Sequence, residues 1–85
     1  MSEADEMFKE LGYKGRYGAD NLMLYEKTFE KKSKREPIRK VIGFDLIKKE
    51  IYVFECYIDV EYNLFGNVDM QELKAINKKV EELGW

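Results

Sequence analysis

The chain has 85 residues, 45% of them hydrophobic and 14% aromatic, with 38% charged and a formal net charge of −2. That is enough apolar mass for one small packed domain over 1–85 and too much for a disordered chain, and no apolar run nears the roughly 20 residues that span a bilayer. Histidine is absent and Cys56 is the single cysteine, which excludes His-dependent acid–base and nucleophile pairs, the commonest metal ligand and any intrachain disulfide, and fits a reducing cytoplasm.

The acidic start, MSEADEMFKE, is the opposite of a secretory n-region and reads as a helix over 2–11. Ser2 can cap it, Glu3, Asp5 and Glu6 suit the positive end of its dipole, and Ala4, Met7, Phe8 and Leu11 make one apolar stripe. Gly12 is a left-handed stop, and YKGRYGADN after it reads as a loop. Three strands follow. LMLYEKTFE (22–30) sets Met23, Tyr25 and Phe29 on one face, with Lys27 interrupting. IRKVIGFDL (38–46) sets Ile38, Ile42, Phe44 and Leu46 on one face, with Lys40 intruding, and EIYVFECYI (50–58) is rich in β-branched and aromatic residues. Lysines suit the positive φ angles of a tight turn poorly. The expectation is therefore an odd connection over 47–49, which places Phe44 opposite Tyr52 and Ile42 opposite Phe54; a tight Lys48-Lys49 turn would flip the buried face of the third strand.

The last element is the clearest. Asp69-Met70-Gln71-Glu72 is a capping box, and Met70, Leu73, Ile76, Val80 and Leu83 make a helical stripe, with Lys74, Lys78, Lys79, Glu81 and Glu82 largely outside it, that ends at Gly84. The expected fold is α+β, in the order α-β-β-β-α: a three-stranded antiparallel sheet packed by an N-terminal and a C-terminal helix. Phe8, Leu11, Ile42, Phe44, Phe54, Leu73, Ile76 and Val80 are its expected core.

DEMFKELGYK near the start, paired with ELKAINKKVEELGW at the end, resembles small proteins carried by phages and prophages of Gram-positive bacteria. The likeness covers both ends and, through the strand pattern between them, most of the chain. It implies a setting, an accessory protein of a bacterial cytoplasm, and not an activity; no functional residue carries over from it.

Among candidate sites, EKKSKREPIRK is the most conspicuous. Over residues 31–40, Lys31, Lys32, Lys34, Arg35, Arg39 and Lys40 against Glu36 give a local charge of +5, which leaves −7 for the rest of the chain. Such asymmetry suits a phosphate-binding patch, the basis of an alternative nucleic-acid-associated function. No aromatic interleaves the cations, however, and Pro37 denies a continuous helix, so the stretch reads better as an exposed, mobile charged connection between two strands. In DVEYN, Asp59, Glu61 and Asn63 have the spacing that opens a calcium loop, but Leu64 and Met70 stand where such a loop needs Gly and Glu, so no metal site is expected. Glycines 12, 15 and 18 follow a helix and precede a strand, the wrong order for a phosphate cradle. Cys56, inside a covered strand, is core filler. Tyr13, Tyr17, Tyr57, Tyr62, Phe65 and Trp85 sit at element ends or in loops. Of these, Tyr17, Tyr62, Phe65 and Trp85 are the candidate partner contacts, with Trp85 and Phe65 also suited to closing the core. No carboxylate pair is placed for catalysis, and no cofactor is implied. The leading expectation is a non-enzymatic accessory protein that binds another protein, either a host protein or a second copy of itself.

Overall fold

A computed structural model of the chain describes residues 2–18, 21–29, 37–57, 63–64 and 66–85, with the backbone alone for Tyr57, Asn63 and Leu64. Helix α1 (Glu3–Glu10) begins where the Ser2 hydroxyl accepts the Asp5 N–H at 3.0 Å, and buries Ala4 and Phe8, one turn apart. Helix α2 (Met70–Glu82) begins with both arms of the Asp69–Glu72 capping box formed. Both helices stop in the same way. Gly12 and Gly84 take φ of +92° and +75°, and the following aromatic donates its N–H five residues back, Tyr13 to Phe8 and Trp85 to Val80. The paired bonds Gly12 N–H to Lys9 O and Gly84 N–H to Glu81 O complete a Schellman motif at each end. The repeated Leu-Gly-aromatic stop thus swings one ring onto the core from each helix: Tyr13 meets Phe8 edge-on at 5.7 Å and Trp85 lies 6.2 Å from Phe44.

The described residues form one antiparallel sheet in sequential order: β1 (Lys14–Tyr17), β2 (Leu22–Phe29), β3 (Ile38–Asp45), β4 (Glu50–Tyr57) and the two-residue β5 (Asn63–Leu64). The three expected strands are β2 to β4, and the sheet extends beyond them on both sides. Residues 14–17 pair with β2 where a loop was expected. An edge strand needs no apolar pattern of its own, and all four residues are exposed. Gly15 fits because a Cβ there would lie 3.1 Å from the Tyr25 ring.

The β3–β4 register corrects the odd-loop expectation. Four residues, 46–49, connect Asp45 to its partner Glu50, so Phe44 faces Ile51 and Ile42 faces Val53. Asp45 organises this turn. Its Oδ1 accepts the N–H groups of Ile47 (3.0 Å) and Lys48 (2.9 Å), its carbonyl accepts that of Lys49 (2.8 Å), and Lys49 adopts φ +56°. The backbone conformation judged unfavourable for lysine is therefore the one adopted. Phe54 consequently leaves the expected core and lies on the opposite face of the sheet.

Both helices cover one face. The core there joins Phe8, Tyr13, Tyr25, Ile42, Phe44, Ala75 and Ile76, with Leu11, Val53, Val80, Leu83 and Trp85 half-buried around it. Phe8 stacks on Tyr25 at 4.0 Å. Helix α2 is rotated from the expected stripe. Leu73 is 38% exposed and Met70 more so, while Glu72, Ala75, Ile76 and Lys79 are buried. The rotation follows from partners for Glu72 and Lys79 that exist only on the inner side. No helix among the described residues is long and apolar enough to cross a membrane.

Candidate functional site

The helix-covered face carries charge as well as apolar bulk. Lys27 and Lys40, the two interruptions in the strand pattern, stand opposite each other on β2 and β3 and point inward. Lys40 Nζ lies 2.8 Å from Glu72 Oε1 and also donates to the Asn67 carbonyl, while the Tyr13 hydroxyl donates to Glu72 Oε2. With the Asp69 N–H at 3.0 Å, every oxygen of this 2%-exposed carboxylate has a donor. Lys27 Nζ sits 4.7 Å from the centre of the Tyr13 ring and donates to the Leu11 carbonyl at 3.3 Å. A second cluster ties the helices together. The Tyr25 hydroxyl donates to Asp5 Oδ1, Lys79 Nζ lies 3.5 Å from the same oxygen, and Glu82 accepts the Ala4 N–H at 2.9 Å.

These clusters set their own ionisation. Burial acts to raise the Glu72 pKa, but hydrogen bonds from Lys40, Tyr13 and the Asp69 amide outweigh it, and the group titrates below the usual carboxylate range. Asp5 is likewise lowered, burial being outweighed by the Tyr25 hydroxyl and Lys79. Burial, then the adjoining carboxylates Glu72 and Asp5, push Tyr13 and Tyr25 well above the normal phenol range. A general base or nucleophile needs an unsatisfied lone pair aimed at open space. Glu72 is buried with a donor on each oxygen, and its contacts join α2 to β3 and to Tyr13.

No helix among the described residues covers the other face. Its outward positions are Lys14 and Arg16 on β1, Leu22, Leu24, Glu26 and Thr28 on β2, Arg39, Val41, Gly43 and Asp45 on β3, and Glu50, Tyr52, Phe54 and Cys56 on β4. At its centre Leu24 leans across Gly43, its Cδ2 2.9 Å from where a Cβ would stand, with the Tyr52 ring 3.7 Å away on the other side. Only glycine keeps that centre low. The result is a shallow open groove of about 420 Å³, floored by Val41 and Gly43 and walled by Leu22, Leu24, Tyr52 and Phe54. Arg16 and Arg39 flank Glu26, Arg16 Nε 2.9 Å from Oε1 and Arg39 Nη1 4.0 Å from Oε2. Asp45 lies at the opposite end of the groove. Cys56 is buried, on this face and not in the helix-side core.

A second groove, of about 590 Å³, runs between α1 and β1, lined by Lys9, Lys14, Tyr17 and Met23 above Asp5 and Tyr25.

The residues singled out from the sequence scatter over this framework. Tyr17 stands free at 73% exposure on the edge strand. Trp85 is half-buried against Phe44. Arg39 is exposed on the outer face, whereas Lys40 is buried on the inner one with Glu72, so the basic stretch does not continue through both. The expected exposed connection over 31–40 is corrected at its end, where residues 38–40 pair into β3 with Ile38 and Lys40 buried; Lys31, Lys32, Lys34, Arg35, Asp59 and Glu61 of the DVEYN motif, Tyr62 and Phe65 lie outside the described residues. Among the described residues, no group of three His, Cys, Asp or Glu side chains could hold a metal ion. Sequence reasoning missed the outer apolar centre, because Leu24, Val41 and Phe54 sit at the alternate strand positions from the core-facing residues, and their face depends on the Asp45 turn. The chain matches no known family model, no curated protein and no solved structure.

Proposed function

We propose that the chain is a small non-enzymatic accessory protein, of phage or prophage type, that acts by binding another protein through the outer face of its sheet. One observation carries the reading. An antiparallel sheet with one face in water alternates apolar-in and polar-out. Here the outward positions include Tyr52, 39% exposed, and the half-buried Leu22, Leu24 and Phe54, around a buried Val41. Contiguous apolar surface edged by charge marks association sites on soluble domains. The inner clusters support a non-catalytic reading, since their carboxylates are engaged in bracing the fold.

The alternative, a nucleic-acid-associated function, loses Lys40 from its six contacts. The test that separates the two is affinity capture from bacterial lysate with wild-type protein and a Leu24→Lys/Tyr52→Lys variant, at low and high salt. The expected result is a protein retained by the wild type at high salt and lost by the variant. Capture that the variant leaves unchanged refutes the outer face, and nucleic acid released by salt promotes the alternative.

A further inference from the structure

We draw no further inference here: the strongest candidate, the groove of about 590 Å³ between α1 and β1 lined by Tyr17 and Met23, has its carboxylate, Asp5, already held by Tyr25 and Lys79, and nothing in the structure shows what covers it.

Discussion

Replacing Glu72 by Gln is the sharpest perturbation of this fold. The side chain keeps its size and loses its charge, which removes the anion 2.8 Å from the Lys40 ammonium, 7% exposed, and leaves it the Asn67 carbonyl and the buried Glu55 across the β3–β4 ladder. Breaking a buried ion pair from one side costs about 3–5 kcal/mol, because the remaining charge is stranded in a poor solvent. A domain of 85 residues has a total stability of roughly 4–13 kcal/mol at about 0.05–0.15 kcal/mol per residue. The loss is thus a large fraction of the whole. At roughly 4–8 °C per kcal/mol for a domain this small, the melting temperature is expected to fall by at least about 12 °C. Adding Lys40→Met removes the stranded charge, so the double variant is expected to recover part of the loss, with a coupling of about 1–3 kcal/mol in the cycle of four proteins. Urea titrations read the cycle. An unchanged midpoint for Glu72→Gln, or additive effects within about 0.5 kcal/mol, refutes the assignment of Glu72 as the inner charge clamp.

The pH profile follows from the same clusters. Glu72 and Asp5 are depressed in the fold, so their contribution is complete above the unfolded carboxylate range near pH 4.5 and is lost as the pH falls through the folded values; thermal melts between about pH 6 and pH 2 are expected to show that decline, and a flat profile contradicts it. Tyr13 and Tyr25 are raised, so their contribution is full below about pH 10 and is lost as the pH climbs beyond it, which melts from about pH 9 to pH 12 detect. Ile76→Ala, at 6% exposure, should cost about 2–5 kcal/mol, against roughly 1 kcal/mol or less for the half-open Leu73; equal costs mean that α2 is turned the other way. Cys56 should react slowly with a thiol reagent in the native protein and quickly in denaturant, and rapid native labelling is incompatible with its burial on the outer face.

The elements that local chemistry controls were legible in the sequence. Ser2, Gly12, Asp69, Glu72 and Gly84 mark both helices, and the core faces of β2 and β3 appeared with Lys27 and Lys40 in place. What failed depended on geometry beyond one element. The face of β4 turned on a four-residue connection whose signal was Asp45, a side chain able to bind the two amides ahead of it. The rotation of α2 turned on Glu72, which served as a capping residue in the sequence and also proved to be the partner of Lys40 from a strand 32 residues earlier. A lysine breaking an apolar strand pattern was a sign that a partner waited on the covering side, an acidic residue of α2 for Lys40 and the Tyr13 ring with the Leu11 carbonyl for Lys27. No spacing within the strand could say which one.

The two sides of the sheet and its edges divide their roles in a way that bears on association. Exposed strand edges invite ladder extension, and short or charged edge strands suppress it. Here β1 is four residues long and carries Lys14 and Arg16, and β5 at the other edge has two residues. Lateral growth of the sheet is thereby disfavoured. The outer face is mixed: Leu24, Val41, Tyr52 and Phe54 share its middle with Glu26 and the Arg16 paired to it, and Asp45 and Arg39 stand toward opposite ends. A face built only to meet water would carry polar side chains at Leu24 and Phe54 at little cost to the helix-side core, which those residues do not join. Protection of the edges closes the described sheet to ladder extension on both sides, so a partner that meets it does so through side chains and not through a shared strand ladder.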